Sequence, residues 1–322
     1  MIHRGIFANV FLAGALFALA SPVSFSQRLH LSPHFTTGQI LFYRIEFKSA
    51  RHMKTESRVA SPQSSPTTVL NASGLLQVHI VQATASGLLI RTYYSEREPS
   101  PASPSPAAPS SASSADKVVE VSIAPDGSAS QPKGFDKLSP SQQFAWADWF
   151  GRFASSMTFP KDGISAGQKW ELAEPEATPS PIAGLVWSKK FQYVRDEPCP
   201  VSAQSALPTS SKSLMTVQPC AVILVRATLR QKSSSNNASP QDYKLQNLKT
   251  RGRATGQNET ILYISTTNGV LVRAIEDSQQ SMDATIALAD DSNQVHYILD
   301  ATSRSEIALL PDSAADSPPG AH

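Results

Sequence analysis

The residues of this chain best able to do chemistry are few, and Cys199 and Cys220 come first. Each follows a proline, and no CxxC spacing or neighbouring histidine suggests a metal or redox pair. In an oxidising compartment two such thiols become a disulfide. Closing a loop of about 21 residues stabilises a fold by roughly 3 kcal/mol in the chain-entropy model. His30 and His34 stand four apart, as metal ligands on a helix would, but Pro33 lies between them and no ligand cluster surrounds them. No metal and no cofactor is therefore expected. Ser114 and Lys117 match S-x-x-K at the edge of a low-complexity tract, where no rigid frame holds them. His79 and His296 fall inside strand-like segments and read as half-exposed polar positions rather than a catalytic pair. No nucleophile elbow, phosphate loop, H-E-x-x-H or dinucleotide fingerprint occurs, so no catalytic residue is assigned and an enzyme is not expected.

One concentrated feature remains. "FAWADWFGRFASSMTFP", Phe144 to Pro160, carries six aromatic residues. Just before it, Ser139-Pro140-Ser141-Gln142 offers an N-cap serine, a first-turn proline and a glutamine at the capping-box position. The pattern predicts a helix from Pro140 to about Met157. At 100° per residue, Trp146, Trp149, Phe150, Phe153 and Met157 share one face, and Asp148 and Arg152 point elsewhere. The stripe is either plain core or the lining of an apolar cavity between helix and sheet. On the second reading Trp146, Trp149, Phe150 and Phe153 are the ligand-binding candidates. The two tryptophans, at the margin of the stripe, suit the rim, whereas Phe150 and Phe153 suit the core.

The elements around the helix read as strands. "ILFYRIEFK" (40–48), "LLQVHIVQAT" (75–84), "LLIRTYYSE" (88–96) and "KVVEVSIAPDGSAS" (117–130) alternate apolar and polar residues and are separated by turn signals. In the second half, 185–195, 221–231, 244–254 and 260–276 read alike, followed by "ATIAL" and "VHYILDATSR". Asn268-Gly269 suggests a tight type I′ hairpin turn. "TTGQILFYRIEF" (36–47) and "SAGQKWELAEP" (165–175) echo one another, and each opens a series of strands. The expected fold is mainly β (α+β): a large antiparallel sheet or open half-barrel of two similar meanders, about 36–130 and 165–310, with one amphipathic aromatic helix packed on it. Residues 27–310 form a single domain on this reading. Pro99 to Ala115 contain only Pro, Ser and Ala and predict a disordered loop over 97–116 rather than a linker between domains. Residues 58–68 and 231–241 read as further long hairpin loops, and 311–322 as a disordered tail.

The N-terminus carries His3 and Arg4, an apolar run from Ile6 to Ala20, and small residues at Ser24 and Ser26 around Phe25. That is the pattern of a cleaved signal peptide, residues 1–26. The run is about 22 Å long as a helix, short for a bilayer core of ~30 Å. Export to the periplasm or the extracellular space follows, with no transmembrane span after cleavage. Losing Arg4 leaves 27 basic against 26 acidic residues, a net charge of +1. Such a balance offers no footprint for nucleic acid.

"MTFPKDGISAGQKWEL" (157–172) resembles the middle of a group of uncharacterised exported bacterial β-rich proteins. In these a proline, a turn and a Gly-x-x-Trp open a second β-meander. Pro160, Gly167 and Trp170 hold the matching positions, with Gln168 where that group has an acidic residue. The resemblance implies an extracytoplasmic β-rich protein without catalytic residues to carry over. More distantly, the order of elements is similar to lipoprotein-carrier folds, in which an open half-barrel wraps an apolar helix. Two functions follow as expectations: a non-enzymatic carrier for a lipid or other apolar or amphiphilic ligand, or a structural component of the cell envelope that binds a protein partner.

Overall fold

The computed structural model describes residues 28–57, 63–64, 67–96, 117–175, 180–200 and 218–311. The segment expected to be a signal peptide (1–26), the whole Pro/Ser/Ala loop (97–116) and nearly all of the C-terminal tail lie outside them.

The strands are β1 (Ile40–Ser57), β2 (Gln63–Ser64), β3 (Thr68–Thr84), β4 (Gly87–Glu96), β5 (Val118–Ile123), β6 (Lys169–Pro175), β7 (Leu185–Pro198), β8 (Pro219–Gln231), β9 (Leu248–Ser265), β10 (Leu271–Leu288) and β11 (Val295–Leu309). They build one antiparallel sheet in the order β5-β4-β3-β1-β11-β10-β9-β8-β7-β6, with β2 beside β1. The sheet stays open, because β5 and β6 end it on opposite sides. From β1 the chain steps outward to the β5 edge. It then crosses through helix α1 (Pro140–Ser155), starts again at the β6 edge and returns to the middle. There β11 pairs with β1 from Tyr43↔Leu309 to Ser57↔Val295.

Period-two alternation sets which face is inward. On β1, Leu41, Tyr43, Ile45 and Phe47 are buried, while Glu46 and Lys48 are exposed. Leu76, Val78 and Ile80 of β3, Ile90 of β4 and Ile223 of β8 join them beneath α1. The helix starts as its sequence predicts. Ser139 Oγ accepts from Gln142 N, and Ser139 N donates to Gln142 Oε1 at 3.0 Å, completing a capping box with Pro140 in the first turn.

The two Gly-Gln turns are built alike. Gln39 N donates to Thr36 O at 3.0 Å, and Gln168 N to Ser165 O at 2.9 Å. Both glutamine side chains reach back, Thr36 N to Gln39 Oε1 and Ser165 N to Gln168 Oε1. Gly38 and Gly167 hold φ of 87° and 80°, which a side chain rarely tolerates. Each turn then docks on a bulge of the neighbouring strand, at Ile80/Gln82 and Tyr193/Arg195. The sequence echo therefore marks a shared piece of backbone geometry.

Four local expectations change. Residues 244–254 and 260–265 are not separate strands, since β9 runs unbroken over 18 residues. Within this strand Trp187 packs over Gly256, and a Cβ there would come within 2.8 Å of that ring. The Asn268-Gly269 hairpin exists, but only Gly269 has positive φ, so it is not type I′. The N-terminal arm crosses this turn, with His34 N donating to Asn268 O at 2.9 Å. The 231–241 connection folds back on the sheet instead of projecting from it. Ala238 is fully buried with Ile182, Leu185 and Leu229 in a second apolar cluster. Finally, Asp148 and Arg152 do not face water: Arg152 is 7% exposed. They turn onto the sheet, where Arg152 pairs with both Asp148 and Glu276 of β10, while Ala147 and Gly151 form the exposed side of the helix.

Candidate functional site

Cys199 and Cys220 are bridged, with Cα atoms 4.9 Å apart. The bond ties the end of β7 to the start of β8, and the connection it spans, 201–217, lies outside the described residues. His79 and His296 are not brought together. They pair with Ile40 and Glu56 at opposite ends of β1, about 50 Å apart at ~3.3 Å per residue. His79 stacks on Tyr93 at 4.9 Å, and burial, with Arg91 beside it, lowers its pKa. His296 Nε2 lies 2.8 Å from Asp283, with Glu56 at 3.4 Å, and the two carboxylates raise its pKa. His30 and His34 sit on an extended arm.

The aromatic stripe forms a continuous stack. Trp146 is 2% exposed, and Trp149 and Phe153 are fully buried. Trp149 stacks on Phe153 at 5.0 Å and meets Tyr43 at 5.8 Å, while half-buried Phe150 stacks on Trp146 at 4.9 Å. Trp146 Nε1 donates to Thr92 Oγ1 at 2.8 Å. None of these four residues lines the cavity beside the helix.

That cavity, of about 390 Å³, lies along the other flank of α1, against the inward faces of β1 and β7–β11. Its apolar walls include Phe47, Phe144, Trp187 and Phe191. Phe144 stacks on Phe47, centroids 6.3 Å apart and rings within 3° of parallel. On its floor one register row carries Ser49, Ser303, Ser278 and Asn258 across β1, β11, β10 and β9. Gly151 of α1 borders it, and a Cβ there would meet nothing within 4 Å. A wider depression of about 780 Å³ is lined mostly by opposite-face side chains. Two of its arginines are already paired, Arg226 with Glu259 at 2.9 Å and Arg304 with Asp277 at 3.7 Å.

Between cavity and core lies a buried ion cluster. Arg152 bonds Asp148 Oδ1 and Glu276 Oε2, both at 2.6 Å, and Thr260 Oγ1 lies 2.7 Å from Glu276. Burial opposes charge on all three groups. For Arg152 the two carboxylates outweigh it and keep the guanidinium charged. For Glu276, Arg152 with Thr260 and Asn258 outweighs burial and lowers the pKa. For Asp148 burial prevails, the Glu276 charge adds to it, and the pKa rises. Sequence reasoning missed this cluster, although alternation along β10 puts Glu276 on one row with Ala274 and Ser278.

Among the described residues no helix is long and apolar enough to cross a membrane. No protein-family model and no curated protein matches the chain. Among solved structures it aligns with the outer membrane protein OprG from Pseudomonas aeruginosa, at 8% identity over 87% of this chain and 99% of that one, with a TM-score of 0.18. It also aligns with the CymD monoaromatic hydrocarbon channel, at 8% identity over 85% of this chain and 89% of that one, with a TM-score of 0.12. Scores this low carry no argument about fold or function, which rest on the geometry alone.

Proposed function

We propose that this chain is a non-enzymatic extracytoplasmic binding or carrier module for an apolar or amphiphilic ligand, seated in the cavity beside α1. The observation that carries this reading is Gly151. It stands at an exposed position within α1, on the rim of the cavity, without positive φ and with open space where a Cβ would lie. A mid-helix glycine costs about 1 kcal/mol against alanine, so stability alone gives no reason for it. Keeping the cavity open does. A volume near 390 Å³ suits one small ligand, and the aromatic walls and hydroxyl floor suit an amphiphile. The disulfide is consistent with an oxidising compartment, as is the leader-like N-terminus.

The rival reading, an envelope component that binds protein through a strand edge, has less support. Residues 128–133 bridge back onto β5 at Glu120↔Lys133 and Ile123↔Ala129. The other edge, β6, has seven residues, is charged and ends in Pro175. Such edges resist pairing.

Gly151→Leu tests the carrier reading. Leucine is a good helix former, so the melting temperature should hold or rise, by the equivalent of about 0.5–1 kcal/mol. The side chain enters the cavity, and binding of a fluorescent fatty acid such as cis-parinaric acid should weaken about tenfold or more, ~1.4 kcal/mol. A parent protein that binds no probe, or a variant that binds as the parent does, would favour the envelope-interaction reading instead.

A further inference from the structure

We propose that the ligand of this cavity is an acidic amphiphile and that Arg51 reads its anionic head group. The proposal rests on the binding-module reading and adds the ligand's charge and orientation. Three cations line the cavity: Arg51, Arg152 and Lys189. Two are already neutralised, Lys189 by Glu174 at 2.5 Å and Arg152 by Asp148 and Glu276. Arg51 is half-buried and has no carboxylate partner among the described residues. Its cross-strand neighbours, Ala301 and Thr68, are uncharged. Its recorded contact is the ring of Phe144, with the guanidinium carbon 4.3 Å from the centroid.

That contact does two things. It holds the guanidinium by a cation–π interaction, leaving N–H edges free to take a carboxylate or phosphate in bidentate fashion. It also puts the charge against the aromatic pair Phe144–Phe47, which begins the apolar wall. Charge and apolar surface thus meet across one side chain, as the junction of head and tail does in an amphiphile. Beside Arg51 the floor offers Ser49, Ser278 and Ser303, whose hydroxyls bond no other described residue. They can serve the remaining head-group oxygens. The buried ion cluster lies further along the cavity and presents no spare cation, so the anion belongs at the Arg51 end.

The test is calorimetric titration of the full mature chain with four ligands that share a dodecyl tail, each below its micelle threshold. They are dodecanoate, dodecyl phosphate, dodecyltrimethylammonium and octaethylene glycol monododecyl ether. The two anions should bind the parent about tenfold more tightly than the neutral ether, ~1.4 kcal/mol, and the cation should bind most weakly. Arg51→Met keeps the apolar stem and should remove that preference while leaving the ether unchanged. Arg51→Gln, which keeps donors without charge, should behave like Arg51→Met. The tighter of the two anions identifies the head group as carboxylate or phosphate. If the ether binds the parent as tightly as the anions, or Arg51→Met weakens ether and anions equally, the head-group proposal is wrong and the binding module stands. If none of the four ligands binds, both readings fall.

Discussion

Arg152→Ala should destabilise the protein by about 3–5 kcal/mol at neutral pH, the usual cost of removing one partner from a buried ion pair. Against a typical total of ~5–15 kcal/mol, that is a third or more of the stability of many domains. The reason is local. Arg152 is 7% exposed and bonds Asp148 and Glu276 at once. Without it two buried carboxyls share a site with no cation, and both pKa values must rise. The pH dependence then has a definite sign. In the variant both groups bind protons in the folded state at a pH where the unfolded chain does not. Its deficit should therefore shrink as pH falls from 7.5 through those raised values toward the ordinary carboxylate range. In the parent, Glu276 is lowered and acts the opposite way, its contribution present above its unfolded pKa and lost as pH falls through the folded one, while Asp148 is already raised and favours the folded state on acidification in both proteins. Urea unfolding of both proteins at pH 7.5 and pH 5 reads the difference. A deficit that grows on acidification, or one under about 1 kcal/mol, would mean that solvent reaches the cluster.

Phe153→Ala should cost about as much, roughly 3–5 kcal/mol, because it empties a fully packed aromatic site. Phe153 stacks on Trp149 and lies 5.4 Å from Phe35 of the N-terminal arm, so truncation loosens two contacts at once. Probe binding should survive, since Phe153 does not line the cavity. Equilibrium unfolding that finds a cost nearer ~1–2 kcal/mol, the transfer contribution alone, would mean unfilled space beside the ring. The pair of variants separates the two flanks of α1: one holds the core together by packing, the other by buried charge.

Much of the fold was legible because it is locally encoded. Ser139-Pro140-Ser141-Gln142 announces the helix, alternation announces the strands, and the repeated Gly-Gln announces two matching turns. Cys199 and Cys220 announce their bridge. Long-range order was not legible: nothing local to β1 says that β11 becomes its neighbour. The aromatic stripe read from sequence and the cavity fall on different flanks of the helix for a related reason. Helical periodicity assigns Asp148 and Arg152 to water only if one face of the helix is covered. Here Glu276 on β10 draws Arg152, and with it Asp148, out of water, and the cavity opens at Phe144 and Gly151 rather than at the tryptophans.

The most direct measurement of ligand binding in this cavity is photo-cross-linking with a dodecanoic acid bearing a diazirine near the end of its tail. The protein is irradiated with it, and the modified peptides are mapped by mass spectrometry. Saturable labelling should fall on the α1 peptide containing Phe144 and Gly151 and on the β7 peptide containing Trp187 and Phe191. It should be competed by unlabelled dodecanoate and disappear in Gly151→Leu. Labelling that does not saturate, that scatters over the outer face of the sheet, or that persists in Gly151→Leu would contradict a ligand held beside the helix.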